Sequence, residues 1–232
     1  MFKINRNFVA PVLAEYLGTG ILVMVTLVLS QITAVSYFVA TSVATAAVVV
    51  YMLFGAISGA HTNPAVTFGM WTARKIGTLR GISYIAAQLL GAVSSWQLFQ
   101  YFVNHTLTAR QTSFTTPIWL AELVGTAIVA IAFTLAMNKK NDMLSSSIAV
   151  GAAYFAGIMI ASTASSGFIN PAIALGARSW GSAYVLGPLV GGLIGVNLYA
   201  YMTGTWSSLP VRRRRAASSV TVKRTAVRGT RK

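Results

Sequence analysis

Six apolar stretches, each near the length that a helix needs to cross a lipid bilayer, constrain the fold of this chain more than any other feature. Such a crossing takes about 20 residues. Only 9% of the residues are charged, whereas a soluble domain carries roughly 25%. The pattern therefore predicts an all-α membrane protein with six transmembrane helices. The stretches are residues 8–30, 37–58, 82–104, 117–137, 144–163 and 182–205.

Two shorter apolar segments, near residues 63–73 and 170–179, begin with Asn-Pro-Ala at Asn63 and Asn170. Asparagine is a favoured N-cap, and proline is favoured in the first turn of a helix. A segment too short to span the bilayer is tolerated at membrane depth only where protein buries it or where it lines a water-filled cavity. We therefore predict two re-entrant half-helices.

The chain contains an internal repeat. Two sequence motifs recur at one offset, 107 residues, and a third recurs more loosely at an offset of 100. A common offset for independent motifs indicates a duplicated unit. The pairs are residues 13–19 with 120–126, 63–65 with 170–172 and, at the shorter offset, 88–92 with 188–192.

The number of spans in each unit determines how the units are related. Residues 1–107 form a first repeat and residues 108–210 a second, each with three predicted spans. Because three is odd, the second repeat enters the membrane inverted, and inverted repeats with broken helices place a site near the midplane. Glycines at positions 187, 191 and 195 would allow close helix packing, either within one subunit or between subunits.

The basic residues predict the orientation. With six spans, 16 of the 18 lysines and arginines share the side of the two termini, and only Arg110 and Arg178 lie opposite. The positive-inside rule then predicts a multi-pass protein of the cell membrane with both termini in the cytoplasm. The basic tail, residues 211–232, is predicted to be disordered and to contact anionic lipid rather than nucleic acid.

Residue types exclude several other classes of function. The chain contains no cysteine and two histidines, so disulfides, thiolate chemistry and a metal cluster are not expected. We predict no catalytic residues, no metal and no cofactor.

The residues around both half-helices resemble the aquaporin and aquaglyceroporin family of major intrinsic proteins. The resemblance rests on residues 59–67 (GAHTNPAVT), residues 166–172 (SGFINPA) and the pair Glu15 and Glu122, and it covers about residues 8–208. It implies an aquaporin-like fold, a homotetramer and a passive channel for water and small uncharged solutes such as glycerol.

The resemblance also implies roles for individual residues. The side-chain amides of Asn63 and Asn170 would donate hydrogen bonds to a passing oxygen, and loop carbonyls would accept them. The remaining pore residues are Gly59, Ala60, His61, Thr62, Ser166, Gly167, Phe168 and Ile169. Structural roles fall to Glu15 and Glu122, as buried acceptors for loop N–H groups, and to Pro64, Ala65, Pro171 and Ala172.

The selectivity filter departs from the family pattern. An arginine usually follows the second Asn-Pro-Ala, and here that position is Ile173. Counting back from each motif assigns Val43, Ile158 and Gly167 to the same filter, which is then wholly apolar. We expect a wider or more apolar constriction. Position 174 favours a water channel and Arg178 a glycerol channel, so these two positions do not decide the solute.

Two alternatives stay open at this point. A coupled secondary transporter would also use inverted repeats and broken helices, with Glu15 and Glu122 as the only candidates to bind a coupling ion. A non-conducting structural member of the same fold is compatible with the apolar filter.

Overall fold

The computed structural model of the chain describes residues 5–110, 112–137 and 142–205, and these ranges form six long helices and two short ones. The basic tail predicted at residues 211–232 lies outside the described residues. The helices are α1 Arg6–Ile32, α2 Ser36–Ser58, α3 Pro64–Thr72, α4 Thr78–Val103, α5 Thr116–Ala136, α6 Met143–Ala161, α7 Pro171–Gly176 and α8 Ser182–Met202.

Five of the long helices, α1, α2, α5, α6 and α8, are long and apolar enough to cross a membrane. The sixth, α4, has 26 residues but is less apolar. Its polar residues Gln88 and Ser95 are buried, whereas Ile82, Leu90 and Leu98 are exposed. The exposed side of α4 therefore carries large apolar side chains, as a lipid-facing helix requires, although some of its polar residues, such as Gln97, are exposed as well.

Helix ends follow local sequence signals. The side chain of Asp142 caps α6 by accepting from the Ser145 backbone N–H at 2.8 Å, and its second oxygen accepts from the Ser145 hydroxyl at 2.7 Å. These bonds hold the pKa of the exposed Asp142 below its usual value. At the other end of a helix, Gly59 closes α2 with a φ of 90°, a left-handed conformation that glycine adopts readily.

Helix contacts reproduce the predicted inverted repeat. In the first half α1 packs against α2 and α4, and in the second half α5 packs against α6 and α8. Each short helix packs against the third long helix of the other half: α3 packs against α8, and α7 packs against α4. The pairs α2 with α6 and α3 with α7 contact each other across the pseudo-twofold axis.

Glycines bring the third long helix of each half onto the first. A β-carbon on Gly91 would lie 2.3 Å from the Tyr16 carbonyl oxygen, and one on Gly191 would lie 2.2 Å from the Leu123 carbonyl oxygen. These are equivalent contacts in the two repeats. The glycines at 187 and 195 face α5 in the same way, so this spacing serves packing inside one chain.

We expect Gly191→Ala to destabilise the protein, because the added methyl group meets a backbone carbonyl that cannot move aside alone. Over-packing of this kind costs about 1–3 kcal/mol. Thermal unfolding of the detergent-purified protein measures the effect. The matched control is Gly81→Ala, also inside a helix, whose β-carbon would meet side-chain atoms no closer than 3.5 Å. Equal melting temperatures for the two variants would contradict this packing account.

Candidate functional site

The two half-helices begin at the asparagines of the repeated motif. The Asn63 Oδ1 atom accepts from the Ala65 N–H, and the Asn170 Oδ1 atom accepts from the Ala172 N–H, each at 2.9 Å. The proline after each asparagine opens its helix. The helices α3 and α7 contact each other, and the N-cap residue of each bonds the loop that precedes the other, so two partial positive charges lie close together inside the protein.

Each asparagine also bonds to the opposite half. The Asn63 Nδ2 atom donates to the Ile169 carbonyl oxygen at 3.0 Å, and the Asn170 Nδ2 atom donates to the Thr62 carbonyl oxygen at 2.9 Å. Both side chains are fully buried. A primary amide carries two hydrogens, so each asparagine retains one donor beyond this reciprocal bond.

The loops before the asparagines are strained at equivalent positions. Thr62 and Ile169 have φ values of 46° and 45°, and Ala60 and Gly167 have values of 45° and 64°. A β-branched residue rarely adopts this left-handed conformation, which costs on the order of 1–3 kcal/mol per residue. The strain turns the Thr62 and Ile169 carbonyls to where the opposite asparagine bonds them.

Glu15 supplies the acceptor that holds the first loop. Its carboxylate accepts from the backbone N–H groups of His61 at 3.0 Å and Thr62 at 2.6 Å. The Gln88 side-chain amide donates to the same carboxylate at 2.8 Å. Glu15 is fully buried, and these donors compensate the loss of its hydration.

Glu122 holds the second loop in the equivalent way. It accepts from the N–H groups of Phe168 at 3.0 Å and Ile169 at 2.6 Å. Position 188, the counterpart of Gln88, is a proline, and the third donor is instead the Ser165 hydroxyl at 2.7 Å. Within the described ranges, no group of three His, Cys, Asp or Glu residues could hold a metal ion.

A family model described as major intrinsic protein matches residues 4–199. The chain belongs to this family. It is therefore a membrane channel and not an enzyme. The solved aquaglyceroporin of Plasmodium falciparum has a similar fold, with a TM-score of 0.68 and 21% identity over 83% of this chain and 95% of that one. The predicted aquaporin-like fold is confirmed.

Curated relatives are aquaporins. The probable aquaporin TIP-type of Medicago truncatula is 33% identical over 168 residues, which are 66% of this chain and 67% of the relative. Aquaporin PIP2-4 of Zea mays is 33% identical over 182 residues, 67% of this chain and 62% of the relative. Aquaporin AqpM of Methanothermobacter marburgensis is 32% identical over 171 residues, 64% of this chain and 70% of the relative.

His61 of this major intrinsic protein is a buried part of the first loop. Its Nδ1 atom lies 3.2 Å from the Thr67 hydroxyl oxygen. Its ring packs edge-on against Tyr84 and Phe133, with centroids 5.6 Å and 6.2 Å away. These contacts on several sides hold the imidazole ring in place, which fits a structural role for His61.

A pair of tyrosines that the sequence analysis missed also supports the loops. The Tyr84 hydroxyl donates to the Ser58 carbonyl oxygen at 3.1 Å. The Tyr184 hydroxyl accepts from the Ser166 N–H at 3.2 Å and lies 3.1 Å from the Ser166 hydroxyl. The two tyrosines are 100 residues apart, the offset of the looser motif pair, so that offset contained the signal.

The proposed filter residues are all buried and apolar. A β-carbon on Gly167 would lie 3.1 Å from the Ile158 carbonyl oxygen and 3.3 Å from its Cγ2 atom, so these two positions adjoin. Val43 and Ile173 belong to the same buried apolar cluster as Ile158. Their joint role as a filter stays a prediction.

Arg178 follows the end of α7 and turns its charge towards α4. Its guanidinium carbon lies 4.1 Å from the centre of the Trp96 ring, a cation–π contact. Its carbonyl oxygen accepts from the Arg110 N–H at 2.7 Å. Near this end of the protein, Phe168 borders a cavity of about 170 Å³ that Arg110 and His105 also line.

We expect Glu122→Gln to destabilise the protein by about 1–3 kcal/mol, because an amide group replaces one carboxylate oxygen and leaves a buried loop N–H without an acceptor. Glu15→Gln should have a similar effect, since its contacts are equivalent. Thermal unfolding in detergent measures both. The control is Asp142→Asn, an exposed N-cap, for which only a small change is expected. Wild-type stability of both glutamate variants would refute their role as loop acceptors.

Proposed function

We propose that this chain conducts water and small uncharged solutes such as glycerol without an energy source. The observation that carries the proposal is the buried pair Asn63 and Asn170 at the meeting point of two half-helices. A neutral solute that loses its hydration shell needs replacement hydrogen bonds, and each amide has one donor left. A cation would instead approach the positive ends of two helices.

The filter supports uncharged solutes of more than one kind. Val43, Ile158, Gly167 and Ile173 offer neither a fixed charge nor a side-chain donor. Such a constriction selects by size and by the cost of removing water. The named relatives are aquaporins and the structural relative is an aquaglyceroporin, and both descriptions agree with this reading.

A coupled transporter is less well supported. It would need a charged residue free to bind a coupling ion in the pathway. The two intramembrane carboxylates, Glu15 and Glu122, are each bonded to three donors. Because these hydrogen bonds hold the loops, neither carboxylate is free to bind a coupling ion.

We further propose a homotetramer in the cell membrane with both termini in the cytoplasm. The distribution of basic residues supports the orientation. Arg80 donates from its Nη2 atom to the Asn7 carbonyl oxygen at 3.3 Å, at the end of the molecule where the chain starts. Arg110 and Arg178 are bonded to each other beside the cavity that Phe168 borders. The positive-inside rule assigns the end with Arg80 and the chain start to the cytoplasm.

Stopped-flow light scattering on proteoliposomes tests the function. We expect osmotic shrinkage and glycerol re-swelling both to be faster than in empty liposomes, because the filter lacks a polar group that would exclude the larger solute. Imposed sodium or proton gradients should leave the final solute distribution unchanged. Gradient-driven accumulation would favour a transporter, and absence of flux would favour the structural alternative.

Ile173→Arg should lower glycerol permeability more than water permeability. The guanidinium group adds both bulk and charge at the proposed constriction, which penalises the larger solute first. The same proteoliposome assay gives the ratio of the two permeabilities. Ile148→Arg, at an exposed position of α6, is the control for a general effect of added charge. An unchanged ratio for Ile173→Arg would show that position 173 lies outside the filter.

A further inference from the structure

Tyr154 on α6 is a buried polar residue that the pore mechanism does not use. Its side chain is fully buried, and its hydroxyl has no hydrogen-bond partner among the residues that the structure describes. The hydroxyl lies beside the side chains of Asn63, Asn170 and Thr62, close enough to interact with them but without the geometry of a hydrogen bond. A buried hydroxyl without a partner is costly, so this placement needs an explanation.

The position of Tyr154 relates it to the proposed filter. It lies four residues before Ile158, so both side chains are on one face of α6. Ala47 lies four residues after Val43 on α2 in the same way. Since α2 and α6 contact each other, Ala47 and Tyr154 form the layer next to the filter on the side of the asparagines.

The repeat shows that Tyr154 is an asymmetric feature. At the offset of 107 residues its counterpart is Ala47, which is also buried. The two halves therefore present one small and one large side chain at equivalent positions. A methyl group occupies less space than a second phenol ring would, so this asymmetry is compatible with one large side chain at the centre.

The asparagines themselves are inaccessible in this arrangement. Both are fully buried, although each retains a donor for a passing oxygen. Besides the loop carbonyl oxygens that they bond, both amides have the Tyr154 hydroxyl oxygen as a polar neighbour. A water or alcohol oxygen that binds the remaining donors would have to lie beside the same two amides.

We propose that Tyr154 closes the channel at its midpoint and that its phenol must move aside before a solute can reach Asn63 and Asn170. The inference rests on the proposed function. The structure corresponds to the closed state, in which the phenol lies beside the amides and leaves a solute no access to them. The open state is a less populated one, in which a solute oxygen replaces the hydroxyl and satisfies both amides.

The first experiment removes the ring. Tyr154→Ala should raise the water permeability per channel by about tenfold or more, since a minor open state is typically populated at 10% or less. Glycerol permeability should rise as well. Tyr154→Phe keeps the ring and should stay at or below the wild-type value. The control is Phe99→Ala, which removes a buried ring of α4 and should leave permeability unchanged.

A second experiment guards against a folding defect in the alanine variant. The chain contains no cysteine, so a mercurial reagent should not affect the wild-type protein. Tyr154→Cys should conduct faster than the wild type, and a mercurial should then block it. Val49→Cys, at an exposed position of α2, should be insensitive to the reagent.

The outcomes separate this inference from the proposed function. If the wild type conducts and neither Tyr154→Ala nor Tyr154→Cys conducts faster, closure by Tyr154 is overturned while the channel function stands. If Tyr154→Phe opens the channel as far as Tyr154→Ala, closure by the ring is overturned. If neither the wild type nor any variant conducts, both proposals fail.

Discussion

Two buried carboxylates hold the centre of this protein together. The backbone N–H groups of a re-entrant loop at membrane depth have no water to bond with, and each unsatisfied group costs several kcal/mol. Glu15 and Glu122 each accept from two consecutive loop N–H groups. These bonds offset the left-handed conformations of Thr62 and Ile169. That conformation in turn directs the two carbonyls to the opposite asparagines, where the half-helices meet.

The carboxylates and the asparagines differ in what they connect. Each glutamate bonds a loop of its own half, whereas each asparagine bonds the loop of the other half. The glutamates therefore stabilise the loops, and the asparagines align the two half-helices. Because the amides are anchored on one side by these bonds, their remaining donors have a defined direction at the centre of the protein. A neutral oxygen that reaches them would find a prepared site.

Much of this arrangement could be predicted from the sequence, because it follows from a repeat. The offset of 107 residues pairs Glu15 with Glu122 and Asn63 with Asn170, and the same offset relates their backbone hydrogen-bond partners. The apolar stretches indicated the six long helices, although α4 was a weaker signal, since it is less apolar and contains polar residues such as Gln88 and Gln97. The offset of 100 residues also relates Tyr84 to Tyr184, but the sequence analysis missed this pair, and only the structure revealed what their hydroxyl groups bond.

Tyr154 could not be assigned from the sequence alone. Its place one turn from Ile158 was visible, yet periodicity does not tell how far a side chain reaches across an axis or which polar atoms it meets. The repeat is broken at this position, because an alanine and a tyrosine occupy equivalent places in the two halves, and this difference draws attention to Tyr154. Departures from internal symmetry are where a duplicated fold can acquire properties that neither half had.

The reciprocal bonds of the asparagines have a consequence for the order of assembly. Asn63 bonds a residue 106 positions later, and Asn170 bonds a residue 108 positions earlier. While the chain is being synthesised, the first loop can bond Glu15 as soon as α1 and α2 are in place, but its asparagine has no partner until the second loop emerges. Non-local contacts of this kind form late in folding. Until the inverted second half is inserted, the first half therefore has an incomplete centre, in which the Asn63 amide lacks its carbonyl acceptor.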